Sequence, residues 1–314
     1  MCPPGSKSPK ATCLAIHSRV PVFWPSLRGA RANTWSWETP WGSVTVSAKL
    51  HALTGQHRRV LDALFAYALD SHHLDTGALV LLVDPYKVDQ ATSRVGTPRL
   101  RGMLDDIKHA DVVVTEQNGL SWFGSIVSDW KEANISQPLP GGALVGSRPM
   151  WAVTISATWM RAHDSRTTIQ YRNLLPALHS LRRGASYALA LMVITHNEVS
   201  MKLEEALQHV MAIRPEMTSR GCRKVIAEVM SESETLAKLG IHIKEGTVLY
   251  RKHPDVRFSK QQAKVEPITP VAEPITPATE PITPGLVLNT PALQEYQRYS
   301  SGEGACCASP APEN

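Results

Sequence analysis

Three cations crowd into five positions of this chain: Arg220, Arg223 and Lys224, near the start of RGCRKVIAEVMSESETLAKLG. A second set, Arg99, Arg101 and Lys108, lies in GTPRLRGMLDDIKHADVVV, and Lys244 opens the turn Lys244-Glu245-Gly246. An amphipathic helix buries positions i, i+3, i+4 and i+7. Cys222, Val225, Ile226 and Val229 follow that spacing in one segment; Leu100, Met103, Leu104 and Ile107 follow it in the other. Both sets of cations fall off the stripe and are expected to face solvent. A helix fits the major groove of duplex DNA, and its first residues reach base edges. Arg can bind guanine through two hydrogen bonds, whereas Lys mostly neutralises phosphate. Lys244, at a hairpin tip, suits a phosphate.

Other chemistries find little support. The chain has no GxxxxGK[ST] or GxGxxG phosphate loop and no HExxH zinc motif. His72 and His73 are adjacent, and adjacent side chains diverge on a helix. Cys222 sits on an apolar stripe, where a structural thiol is expected rather than a nucleophile. Asp62, Asp84, Asp105 and Asp106 offer carboxylates, but capping or surface roles account for two of them. No cofactor, no metal site and no catalytic residue is expected, and the chain is not expected to be an enzyme. Cys2, Cys13, Cys222, Cys306 and Cys307 form no CxxC pair, and the proline-broken N-terminus has no apolar run of a secretion signal. A cytoplasmic protein is expected, with no membrane partner.

The elements that would position these cations come twice. A strand is expected at SVTVSAKL (43–50), then a helix from Gly55 to Ser71 with Val60, Leu61, Leu64, Phe65, Ala68 and Leu69 on one stripe. ALVLLV (78–83) reads as a buried strand. Asp84 caps a short helix with Pro85 at its first position, and Thr97 with Pro98 starts the basic helix. DVVVTEQ and LSWFGSIV flank Asn118-Gly119, a hairpin signal. The second round runs through a strand at WAVTIS (151–156), a long helix from about Leu174 to His196, and a shorter one from Val199 to Met211. A basic helix capped by Thr218 or Ser219 follows, then a hairpin of GIHI (240–243) and TVLYR (247–251).

The flanks differ in composition. Residues 1–43 are rich in Pro, Ser, Arg and Trp and read as an arm, partly disordered, though Trp24, Trp35, Trp37 and Trp41 are many aromatics for such a segment. Residues 259–314 carry three EPITP repeats, at Glu266, Glu273 and Glu280; two prolines per repeat favour an extended, disordered tail. Lys264 and Arg298 face six glutamates from position 261 onward, a net charge of −4, so the total of +5 conceals +9 on residues 1–260. At 314 residues with 43% hydrophobic content, the chain can build about two domains. The expected division is 1–43 arm, 44–134 first domain, 135–149 Pro/Gly linker, 150–258 second domain and 259–314 tail.

The order of elements over about 44–258, with WAVTIS, LLPALHSLRRGASYALALMVITH, SRGCRKVIAEVM and LAKLGIHIKEGTVLYRKHP, resembles plasmid replication initiator proteins. These are bacterial proteins with two winged-helix domains. The resemblance implies an α+β fold of tandem, pseudo-duplicated winged helices. It implies binding to repeated double-stranded DNA sites (iterons) at an origin, opening of adjacent A·T-rich DNA, and recruitment of host helicase and initiation proteins. A homodimer through the first domain is implied as well. In such proteins the second domain reads bases, which maps onto Arg220, Arg223 and Lys224; the first supplies backbone contacts, which maps onto Arg99, Arg101 and Lys108. The alternative reading is a winged-helix transcriptional regulator. Neither the Trp-rich arm nor the EPITP repeats belong to the shared pattern.

Overall fold

A computed structural model describes residues 12–27, 29, 32–117, 119, 121–135, 148–164 and 167–260. The EPITP repeats and most of the expected 135–149 linker lie outside the described residues.

The chain begins with β1 (Thr12–Leu14) and α1 (Ala15–Arg19), then the hairpin β2 (Thr34–Thr39) and β3 (Gly42–Ala48). Next come α2 (Gly55–Tyr67), β4 (Ala68–His73), β5 (Leu79–Val83), α3 (Pro85–Ala91) and α4 (Thr97–Lys108). Strands β6 (Ala110–Glu116), β7 (Ser121–Gly124), β8 (Val127–Ile135) and β9 (Arg148–Ile155) follow, then α5 (Ala157–Asp164) and β10 (Thr167–Gln170). A 3-10 turn (Arg172–Leu174) leads into α6 (Leu175–Ser180) and α7 (Gly184–Val193). The last elements are β11 (Glu198–Lys202), α8 (Leu203–His209), α9 (Ser219–Met230), α10 (Ser233–Ala237), β12 (Ile241–Lys244), β13 (Thr247–Arg251) and β14 (Arg257–Lys260).

Local chemistry explains many of these starts. Asp84 accepts the Tyr86 N–H at 3.0 Å with Pro85 inside the first turn, as expected. Thr218 accepts the Gly221 N–H at 3.2 Å and caps α9. α4 differs: Gly96, at φ 91°, is its cap, and Thr97 is already helical. Leu100, Leu104 and Ile107 of α4 are fully buried, worth about 1.5–3 kcal/mol each, which fixes the face this helix turns inward.

Among the described residues, four antiparallel sheets organise the strands: β2-β3-β6-β7, β4-β5-β9-β8, β11-β13-β12 and β1-β10-β14. Two hydrophobic cores result. One joins β3, α2, α4, β6 and β9, with Trp151 and Trp159; the other joins Tyr171, α6, α7, α8 and the β11-β13-β12 sheet. The strand at WAVTIS, expected to open the second domain, belongs to the first core. Trp151–Ile155 pairs with Val83–Leu79 of β5 on one side and with β8 on the other. The sheet therefore has strands on both sides of the expected linker and takes in its residues Ile135, Arg148 and Pro149.

Three further expectations change. The helix from Gly55 stops at Tyr67, because residues 68–73 pair with β5 and become an edge strand; His72 and His73 are exposed there, on opposite faces. The long helix 174–196 breaks at Leu181–Arg183, where Leu181 is extended. Gly184 follows the break: a Cβ there would lie 2.5 Å from the Ser26 Cα and 2.6 Å from the Pro25 carbonyl oxygen, so only glycine admits segment 25–26. The expected helix from Val199 begins as β11, whose Val199 is buried and Ser200 exposed in strand alternation, paired with β13.

The arm expected over 1–43 is built into the body where it is described. Trp35 donates its indole N–H to the Pro21 carbonyl at 3.0 Å, and Trp37 donates to the Gln208 carbonyl at 3.1 Å. Trp41 lies between the rings of His196 and His209, with centroids 5.2 and 5.1 Å away.

The second region reads helix α7, strand β11, helices α8, α9 and the short α10, then hairpin β12–β13, with β13 central in its sheet. The first region repeats the helix order with α2, α3, α4 and hairpin β6–β7, but not the sheet. Its strand β5 pairs with β4 and β9, while the hairpin joins β3. The duplication expected from the sequence is thus one of helix order.

Candidate nucleic-acid interface

α9 is an amphipathic helix held by few contacts. Val229 is its one fully buried residue, while Cys222, Val225 and Ile226 are half-buried against the second core. Arg220, Arg223, Lys224 and Ala227 are exposed. They stand at spacings of three and four, so they share one face. Among the described residues none of the three cations is in an ion pair; their charge faces solvent.

The hairpin beside it supplies Lys244. Glu245 and Gly246 have φ of 50° and 73°, both left-handed, as a two-residue turn of the twisted hairpin type requires. The Leu203 N–H donates to the Gly246 carbonyl at 2.8 Å and ties the tip to α8. Lys244 is exposed, with His242 on the same face two residues earlier. Lys202 of β11 and Lys244 of β12 both pair in register with Thr247. Sequence reasoning missed Lys202, since only strand register brings it near the turn.

α4 presents a different surface. Arg99 is exposed and in no ion pair among the described residues. Arg101 pairs with Glu132 at 2.5 Å, and Lys108 with Asp129 at 2.8 Å. Both carboxylates belong to β8, which runs beside α4, so the face expected to be open is lined by an acidic strand. The Lys108 hydrogen bond holds the Asp129 carboxyl below its usual range. Trp130 of the same strand donates to Asp105 at 2.8 Å.

The remaining carboxylates have structural partners. Asp106 is buried and meets His57 at 3.1 Å and His51 at 3.0 Å. Burial pushes its carboxyl up, but hydrogen bonds and charge from the two histidines outweigh this and hold it below the usual range. His57 Nδ1 lies 3.0 Å from the Thr54 amide nitrogen, and its Nε2 faces Asp106. Asp62 is buried with Arg58 at 3.0 Å and accepts the hydroxyls of Tyr171 at 2.7 Å and Tyr187 at 3.0 Å. This network joins α2 of the first core to the second core. Among the described residues no cluster of three His, Cys, Asp or Glu side chains is arranged to hold a metal ion, and no helix is long and apolar enough to cross a membrane.

The structure thus places Arg220, Arg223, Lys224 and Lys244 on the second region and Arg99, Arg101 and Lys108 on the first, with two of the latter neutralised. No family model matches the chain, and no curated protein matches it. Two crystal structures of domains 2 and 3 of RctB are similar in chain path. The selenomethionine form has a TM-score of 0.47 at 14% identity, covering 74% of this chain and 99% of that one. The other has a TM-score of 0.39 at 11% identity, covering 71% and 92%. Similarity at this level leaves function to be argued from the chain's own residues.

Proposed function

We propose that this protein is a plasmid replication initiator that reads repeated double-stranded DNA sites with α9, and that it is not an enzyme. The observation that carries the reading is α9 itself. Three cations share one exposed face of a helix, and among the described residues none is neutralised. The arrangement around it supports a winged helix. The order helix, strand, helix, helix, a short third helix and hairpin, with the sheet order β11-β13-β12, supports reading β12–β13 as the wing.

In this reading Arg220 and Arg223 contact base edges, Lys224 a neighbouring phosphate, and Lys244 the backbone beside the groove. Arg99 adds a contact from the first region. Arg101 and Lys108 contribute only if Glu132 and Asp129 release them, so their share is small. Recruitment of host helicase and initiation proteins and a homodimer through the first region rest on the family resemblance and not on a particular residue.

Footprinting on the DNA upstream of the protein's own gene, at stated salt, tests this. Protection of direct repeats of about 20 bp, two helical turns, beside an A·T-rich tract is the expected result. A lone protected inverted repeat would favour the transcriptional regulator; no protected site would remove both readings.

A further inference from the structure

α9 is held by one fully buried side chain, yet base reading requires a helix at a fixed angle. Beside that side chain, Val229, a carboxylate also meets the C-terminal end of the helix. Glu232, two residues past the end of α9, accepts the backbone N–H of Arg182 at 2.5 Å and of Arg183 at 3.2 Å. One turn earlier, Glu228 lies 4.0 Å from the Arg183 guanidinium. Two carboxylates, one in the last turns of α9 and one just past its end, thus meet one short loop.

That loop, 181–183, is the break between α6 and α7, and it is immobilised from its other side. Arg59 of α2 donates to the Leu181 carbonyl, and its guanidinium lies 4.8 Å over the Tyr187 ring. Segment 25–26 closes on Gly184 so tightly that a Cβ has no room. Burial lowers the Arg59 pKa, and the Glu232 charge acts in the opposite sense, so the two groups sense one another across the loop. A polar cleft of about 880 Å³, lined by Arg182, Glu228, Glu232 and Lys238 among others, opens at this point. The clip therefore sits at the rim, where water can take the place of its carboxylate oxygens.

We infer that Glu232 is a positioning residue, clipping α9 to the immobilised loop 181–183 so that Arg220, Arg223 and Lys224 meet DNA at one angle. The DNA part of this rests on the function proposed above. Phosphate contacts tolerate a tilting helix, because they depend on charge and distance. Two-point contacts to a base edge do not. Loss of the clip should therefore cost discrimination and spare non-specific binding.

The test uses the full chain carrying Glu232→Ala or Glu232→Gln. Hydrogen exchange is read first, without DNA. Amides in the last turns of α9 should exchange about tenfold faster in Glu232→Ala, the scale of one charged hydrogen bond, with the thermal midpoint unchanged. The Gln variant retains one acceptor oxygen and should recover part of the protection. With DNA, the ratio of affinity for the footprinted site over random duplex should fall about tenfold in Glu232→Ala, with the salt slope preserved. Unchanged exchange in α9 overturns the clip whatever the protein binds. Faster exchange with an unchanged affinity ratio overturns the positioning role while leaving DNA reading intact. A wild-type chain that does not discriminate between duplexes overturns the proposed function and the positioning role with it.

Discussion

Replacing Arg223 with Ala separates base reading from charge attraction. Arg223 is exposed, lies off the half-buried stripe of α9, and is in no ion pair among the described residues. Its removal opens no cavity and strands no partner, so stability should move by less than about 0.5 kcal/mol. Any loss of binding then belongs to the interface. A bidentate arginine on guanine contributes about 1–3 kcal/mol of discrimination, a loss of about 5- to 150-fold on the specific site. On random duplex the same change should cost one phosphate contact at most, lowering the salt slope by about one. Arg101→Ala is the internal control: its guanidinium is already held by Glu132 at 2.5 Å, so affinity should change little. Fluorescence anisotropy with labelled specific and random duplexes at two or more salt concentrations reads all of these. An equal fall on both duplexes for Arg223→Ala would reduce this residue to a phosphate contact. A larger loss for Arg101→Ala would refute the reasoning, because it would place the DNA on the face of α4 lined by β8.

Two other perturbations probe the scaffold. Asp62→Ala leaves Arg58 buried beside Tyr171 without its carboxylate and should destabilise the chain by about 3–5 kcal/mol in chemical denaturation; a loss under 1 kcal/mol would show that the joint between the cores is dispensable. Asp106 has a folded-state pKa below its unfolded value, so its stabilisation is complete above about pH 4 and is lost as pH falls through the folded value. Denaturation midpoints of Asp106→Asn and wild type should therefore converge in acid, and a constant difference from pH 7 down to pH 2 would contradict the assignment.

What the sequence made legible was local. The cap at Asp84, the cap at Thr218, the hairpin turn at Glu245-Gly246 and the inward faces of α4 and α9 all follow from neighbours within a few residues. What it concealed was the identity of partners far along the chain. Nothing in ALDSHH announces an edge strand until β5 lies beside it. LRRG continues a helical period, yet Glu232, about fifty residues on, and Arg59, more than a hundred residues back, hold it open. The cations of α4 look as free as those of α9, because Glu132 and Asp129 reach them only through the path of β8. The caps and the inward faces of α4 and α9 were therefore readable, while the extent of other helices and the difference in value between the two basic surfaces were not.

The placement of β9 also bears on how this chain can be divided. Its central position between β5 and β8 means that strands on both sides of 136–147 share one sheet, with β8 and β9 joined over Val127–Ile135 and Arg148–Ile155. A backbone cut in that interval should yield two fragments that co-elute as a nicked, native-like complex rather than two independent modules. Residues 150–258 expressed alone would carry a strand stripped of both neighbours, an exposed apolar ribbon prone to self-association. An excision of the α9-bearing region would have to be made after β9 and α5.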